Sequence, residues 1–291
     1  HALRQGLDLV VHSEIPGGGM SRSAALAIDL LLVLMASNGI AEPSRLELAR
    51  LAQAVENDYV GSPCGLLDQV MICHARAGFG THYSPRGDGI AHLPLGCDAS
   101  KLALLCLDTG RSRSGLEHAT YPARRRECDE ATALLADLGI TCLADVDSPA
   151  RLTAVEARLR DRPELLARVR YVHEAWLRFP QLLAAWQRGD LTTLGQCFRR
   201  DGIGLRDLYA ISGRELETMC DLVRTVPGVF GERMLGGGDC GAAGALAMPE
   251  AVPAVRAAVS TGYPRSHPAH ADRFAVHELR TADGITVLPP L

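Results

Sequence analysis

Pro16-Gly17-Gly18-Gly19-Met20-Ser21-Arg22-Ser23-Ala24-Ala25-Leu26 separates a β-rich run, residues 7–13, from an apolar helical pattern, residues 24–36. Three consecutive glycines let a backbone turn tightly and approach a ligand, because no Cβ stands in the way. The helix that follows offers unpaired N–H groups and the positive end of its dipole to whatever lies in front. Strand, glycine turn and helix start together make an anion site, most often for phosphate. The stretch is not a Walker A loop, since no Gly-Lys-Ser/Thr closes it, and not a dinucleotide fingerprint, since its glycines are contiguous. Taken by itself, it reads equally as a glycine-rich connection between a strand and a buried helix.

Working outward, the helix over residues 23–37 is apolar on nearly all sides and is expected to lie between other elements. Asn38-Gly39 ends it. Ser44-Arg45-Leu46-Glu47 is a capping box that opens a helix to about residue 58, with Leu48, Leu51, Ala52 and Val55 as its core stripe. Gly61 and Pro63 break that helix, and Asp68 falls at the start of a short new one, where a carboxylate is often only a cap. Residues 79–83, 90–95 and 102–108 read as strands. Helices are predicted over 121–138, over 163–186 with a bend before Pro180, and over 191–209. Ser212-Gly213-Arg214-Glu215 has capping-box spacing and opens a helix to about residue 226. Residues 229–234 form a strand leading into a second glycine cluster, Gly236-Gly237-Gly238, and residues 242–248 form another. Pro249 starts a helix to about residue 260, and residues 274–279 and 285–288 read as a closing strand pair. The mixture predicts an α+β architecture.

Composition narrows the class. A chain of 291 residues can hold two domains with substantial cores. A hydrophobic content of 47% and a net charge of −4 fit a globular protein and leave no basic footprint for nucleic acid. The triplet Arg124-Arg125-Arg126 is too short to make one. The longest apolar stretch is shorter than a membrane span and carries Asp29, and no signal-peptide pattern opens the chain, so no membrane partner is expected. Nine cysteines, none spaced C-x-x-C, argue against a zinc knuckle and a disulfide framework. They read as small buried thiols of a reducing cytoplasm. His267, His270 and His277 lack a metal spacing.

The glycine stretch resembles the phosphate loop of the GHMP small-molecule kinases, Pro-x-Gly-x-Gly-Leu-Ser/Gly-Ser-Ser-Ala-Ala. Four further segments, in the family's order, are similar to its galactokinase branch. These are residues 56–69, with Pro63-Cys64-Gly65 and Asp68-Gln69; Tyr121-Pro122-Ala123-Arg124-Arg125-Arg126-Glu127-Cys128; Leu205-Arg206-Asp207-Leu208-Tyr209-Ala210-Ile211-Ser212; and residues 227–234 running into the second glycine cluster. The resemblance implies a two-domain α+β fold. Residues 1–76 would be the remainder of a ribosomal-protein-S5-like, ATP-binding N-terminal domain, and residues 77–291 a ferredoxin-like C-terminal domain. It implies ATP-dependent phosphorylation of the anomeric hydroxyl of a free monosaccharide. Residues 16–24 (Pro16, Gly17, Gly18, Gly19, Met20, Ser21, Arg22, Ser23, Ala24) would bind ATP. Ser23 and Glu56 would hold Mg²⁺, which suits hard oxygen ligands and nucleotide phosphates. Asp68 matches the catalytic aspartate, acting as general base or merely orienting the hydroxyl. Gly65 and Tyr209 would touch the sugar, and Gly236, Gly237 and Gly238 would close over the site. Phosphoryl transfer asks a protein mainly for positioning and charge stabilisation, which this set can supply.

The sequence also departs from the family pattern. The first motif, Gly-Arg-x-Asn-x-Ile-Gly-Glu-His-x-Asp-Tyr, is absent; its place lies upstream of residue 1, which points to a truncated sequence. Arg22 replaces a small residue in the phosphate loop, where its guanidinium could pair with phosphate. Leu235, Asp239 and Cys240 replace Thr, Phe and Gly in the closing motif, and an acid beside a triphosphate is repulsive unless it faces away or meets Mg²⁺. These changes keep open a galactokinase-like sensor that binds sugar and ATP without turnover, and a relative acting on another sugar or a non-sugar alcohol.

Overall fold

The computed structural model describes residues 3–13, 18–111 and 120–287. They divide into two compact units, residues 1–95 with 280–291, and residues 96–279.

The first unit is helical, with one hairpin. Helix α1 (Arg22–Ser37) starts directly after the glycine bend. Helix α2 (Arg45–Ala54) opens on the Ser44–Glu47 capping box, with both reciprocal bonds present. It then widens into a π-helical turn, Val55–Val60, which Gly61 closes at φ 78°. Helix α3 (Leu67–His74) and the antiparallel hairpin of β1 (Phe79–Ser84) and β2 (Gly89–Pro94) follow. Ile28 and Leu32 of α1, Leu48, Ala49 and Ala52 of α2, and Val70 and Cys73 of α3 make the core, with Tyr83, Ile90 and Ile285 packed against it.

Two expectations fail in this unit. Residues 7–13 join no strand ladder; Val10 is 96% exposed, and a strand exists only with a partner to share its hydrogen bonds. Helix α1 buries only the stripe Ala24, Ile28 and Leu32, while Leu26 and Val33 stand exposed. Its uniform apolarity therefore overstated its burial.

The second unit carries a four-stranded antiparallel sheet. Strands β3 (Ala103–Asp108), β4 (Val229–Met234), β5 (Ala242–Ala247) and β6 (Ala275–Leu279) lie in the order β4-β5-β3-β6. Counting only these four, the order is 2-3-1-4, the arrangement of the split βαβ of ferredoxin-like folds. Between β3 and β4 run helices α4 (Thr120–Leu134), α5 (Pro149–Arg158), α6 (Pro163–Arg188), α7 (Leu191–Asp207) and α8 (Arg214–Arg224). Helix α9 (Val252–Ser266) links β5 to β6. The sheet core is built from Leu105 and Leu107 on β3, Ala243 and Ala245 on β5, Leu216 and Met219 on α8, and Val255 and Val259 on α9. A second core joins Leu135, Val155, Leu165 and Val169.

Helix α7 approaches β4 at backbone distance. A Cβ added to Gly231 would stand 1.9 Å from the Gly195 carbonyl oxygen, and one added to Gly195 2.3 Å from Phe230, so this crossing requires both glycines. The closing strand pair is corrected: β6 pairs with β3, and residues 280–287 form no strand, with Leu288 outside the described residues. Helix α6 continues through Pro180, and α5, which went unread, opens on a Ser148 cap with Pro149 in its first turn. Helix α8 starts on Gly213 without a side-chain cap, because Ser212 Oγ donates to Glu217 and Glu215 pairs with Arg111 at 2.8 Å.

Candidate functional site

Pro16 and Gly17 lie outside the described residues; the bend is followed from Gly18. Gly19 (φ 74°) and Ser21 (φ 55°) both take the left-handed conformation, which turns the chain sharply into α1. Left-handed backbone is costly for a residue with a Cβ, so Ser21 is held there by its surroundings. Ser21 stands at the N-cap position, yet no side chain caps the helix and no acid lies in its first turn. The first backbone bond runs from Ala25 N–H to the Ser21 carbonyl (3.0 Å), so the N–H groups of Arg22, Ser23 and Ala24 precede the helical ladder. Arg22 and Ser23 are exposed and Ala24 is buried.

The Ser21 side chain leaves the helix uncapped and lies near Asp68. Asp68 sits in the first turn of α3, with the Ser21 side chain near enough to favour its charged form. Crowding by surrounding protein raises its pKa, although its edge stays open to solvent; Ser21 opposes that shift and the Glu56 carboxylate adds to it. A carboxylate flanked by a hydroxyl donor and a second carboxylate is poised to take a proton or a cation.

Glu56 is 5% exposed, on the π-helical turn. Such turns insert one extra residue per helical repeat and often mark functional sites. Its Oε2 accepts from the Gln69 amide nitrogen and lies 3.8 Å from Cys64 Sγ, and Oε1 enters neither bond. The same Gln69 nitrogen reaches Cys64 Sγ at 3.4 Å. Asn57 Oδ1 accepts from the Cys64 N–H (2.8 Å) and Gln53 Nε2 donates to the Cys64 carbonyl (3.1 Å), so the loop before α3 is tied to α2 and its π turn. Burial pushes the Cys64 thiol pKa up, which keeps it protonated as the donor to Glu56. Gln69 is 1% exposed, and its Oε1 has no partner among the described residues. Gly65 is exposed with open space where a Cβ would stand.

One neighbourhood of the first unit thus holds Ser21, Glu56 and Asp68, with Ser23 the second residue of α1. Its donors are carboxylate and hydroxyl oxygens. Among the described residues no three His, Cys, Asp or Glu side chains cluster as a metal site. Two carboxylates and hydroxyls, short of a full cage, fit Mg²⁺, which keeps waters and takes the rest of its ligands from phosphates. Gln69 and Cys64 belong to the site without having been assigned a role; a buried glutamine one residue after Asp68 was the available signal.

Tyr209 and the second glycine cluster belong to the other unit. Tyr209 OH lies 3.6 Å from Cys128 Sγ, and its ring is 4.9 Å from that of Tyr171. Burial, then the Cys128 thiol, pushes its pKa well above the ordinary tyrosine range. Gly236 (φ 67°) and Gly238 (φ 76°) turn the chain between β4 and β5. A Cβ on Gly238 would stand 2.1 Å from the Ile211 carbonyl oxygen. Asp239 faces the start of α4: its carboxylate accepts from the Thr120 N–H at 2.5 Å and from the Thr120 hydroxyl. Leu235 lies against Gly244, and Cys240 is buried.

Residues 1–76 match the family model described as the GHMP kinases N terminal domain. A galactokinase of Chloroflexus aurantiacus is 36% identical over 265 residues, which cover 89% of this chain and 65% of that protein. A galactokinase of a Roseiflexus species is 31% identical over 284 residues, covering 96% of this chain and 70% of that protein. This chain belongs to the galactokinase family of GHMP kinases. A crystal structure of Lactococcus lactis galactokinase complexed with galactose shares the fold with a TM-score of 0.85 at 28% identity, over 94% of this chain and 69% of that one. The two-domain α+β architecture of the GHMP kinases is therefore the architecture of this galactokinase-family chain. The chain spans 65% of the length of the Chloroflexus relative.

Proposed function

We propose that this protein transfers the γ-phosphate of ATP to the anomeric hydroxyl of a free monosaccharide, as a galactokinase-like sugar 1-kinase. The observation that carries the reading is the company of Asp68: the Ser21 side chain of the glycine bend and the Glu56 carboxylate both lie near enough to act on its charge. In this reading residues 1–76 form the nucleotide-binding part and 77–291 the remainder. Residues 16–24 cradle the triphosphate, with the N–H groups of the first α1 turn and the Arg22 guanidinium turned to its oxygens. Ser23 and Glu56 hold Mg²⁺, which neutralises charge on the phosphates when bound. Asp68 orients the sugar hydroxyl and accepts its proton. Gly65 lets the sugar approach the backbone, Tyr209 contacts it, and Gly236, Gly237 and Gly238 cover the site.

Asp239 gave the non-catalytic sensor its strongest motive, because an acid in the closing motif would repel phosphate. Its carboxylate is occupied by Thr120, which weakens that motive. On the reading of its nine cysteines, none spaced C-x-x-C, as thiols of a reducing compartment, we place the protein in the cytoplasm.

The test is a screen of free aldoses, galactose first, with ATP and Mg²⁺. A sugar 1-phosphate is the expected product, and Asp68→Asn should lower kcat by about 10²–10⁴-fold, the span of general acid–base contributions, with nucleotide still bound. Sugar binding without product in the wild-type protein would establish the sensor instead.

A further inference from the structure

Helix α3 carries Asp68 in its first turn, and at eight residues it is too short to be stable by itself. No side chain caps its N-terminus. Its C-terminus is held almost entirely by distant segments. Ile285 N–H donates to the Ile72 carbonyl (2.9 Å), and Gly284 N–H donates to the Ala75 carbonyl (2.7 Å). One Arg45 nitrogen donates to both the Cys73 carbonyl (2.7 Å) and the Ile285 carbonyl (2.6 Å), bridging α3 to the tail. His92 Nε2 lies 2.6 Å from the His74 carbonyl. Beyond the helix, Asp283 Oδ1 accepts from the Ala77 N–H and Thr281 Oγ1 from the Gly78 N–H, both at 2.9 Å. Position 284 admits only glycine, because a Cβ there would stand 2.7 Å from the Cys73 carbonyl oxygen and 2.8 Å from that of Ile72. The Ile285 side chain packs on the core that Val70 and Cys73 of α3 share.

We propose that Thr281-Ala282-Asp283-Gly284-Ile285 is a positioning strap for Asp68. It satisfies carbonyls that a short helix leaves open and fixes the axis of α3, and with it the placement of the Asp68 carboxylate against Ser21. These are positioning residues; the inference rests on Asp68 being the group that faces the sugar hydroxyl. A displacement of about 1 Å at a reacting group can cost 10²-fold in rate, so a loosened strap acts on turnover before it acts on folding.

The experiment is a double-mutant cycle in the full-length protein with galactose, ATP and Mg²⁺. Asp283→Ala and Gly284→Val are each made alone and in an Asp68→Asn background. Each single strap variant is expected to lower kcat about 10-fold or more, with KM for ATP within about twofold of wild type. In the Asp68→Asn background the same changes should cost less than about twofold, since the group they position is already removed. Asp283→Asn, which keeps the acceptor for Ala77, should recover most of the rate. Should Gly284→Val fail to fold, Asp283→Ala and Thr281→Val decide, with amide exchange over residues 70–75 expected to speed up. Equal losses in both backgrounds, or unchanged kcat in variants whose α3 amides exchange faster, overturn the strap. If Asp68→Asn alone keeps full activity, the reading of Asp68 falls and takes the strap with it.

Discussion

At the scale of single residues, the surroundings of Asp68 bear on stability. Desolvation and Glu56 raise its pKa and Ser21 lowers it, with the net shift upward. A carboxyl whose folded pKa exceeds its unfolded one favours folding while protonated, and that contribution is lost as pH rises through the folded pKa. Asp68→Asn should therefore melt at a higher temperature than wild type at neutral pH. The difference should disappear in acid, below the ordinary carboxylate range, where both side chains are neutral. Thermal melts across pH measure this directly; equal melting temperatures at neutral pH would mean the shift is absent. If Asp68 is the base of the proposed reaction, the same shift moves the acid limb of the rate profile upward. The pairing of Asp68 with Ser21 was not legible from spacing, since the two residues are far apart in the chain and a carboxylate at a helix start is usually a cap. The family pattern pointed to Asp68, whereas Gln69 and Cys64 went unassigned because their roles depend on where Glu56 turns inward.

Elements show which signals survive folding. The Ser44 capping box formed because its partners lie within one turn and nothing else competes for them. The same spacing at Ser212 did not, because Glu217 and Arg111 offered charge-assisted partners to Ser212 and Glu215. The run over residues 7–13 had strand composition without a strand partner. Helix α4 takes its first acceptor from Asp239, a residue far downstream that sits at φ 61°. Asp239→Ala should destabilise the protein by about 2 kcal/mol, of which about 1 is the lost cap and about 1 the left-handed backbone without glycine or aspartate. Asp239→Gly should lose only the first part, and Asp239→Asn little. Urea unfolding of the three variants separates the terms; a neutral Asp239→Ala would show that the Thr120 contact contributes nothing.

For the whole molecule, composition was informative about class and uninformative about connection. The α+β mixture, the glycine bends and the thiol count could be read directly, whereas the sheet order β4-β5-β3-β6 could not, because β3 pairs with strands more than a hundred residues away. The described residues contain no disulfide, and Cys73, Cys106, Cys197, Cys220 and Cys240 are buried. Burial lifts the Cys73 and Cys106 thiols to about 11. Protein purified without reductant and denatured should release nine thiols, while in the native state the exposed Cys142 should react with a thiol reagent well before those five; a count below nine would reveal a disulfide. The first unit draws on residues from both ends of the described chain, with residues 96–279 forming the other unit between them. During translation the amino acids that secure α3 therefore leave the ribosome only after the entire second unit has emerged. The glycine bend and Asp68 are made before the second unit, and they wait for the whole of it to be synthesised before their helix is fastened.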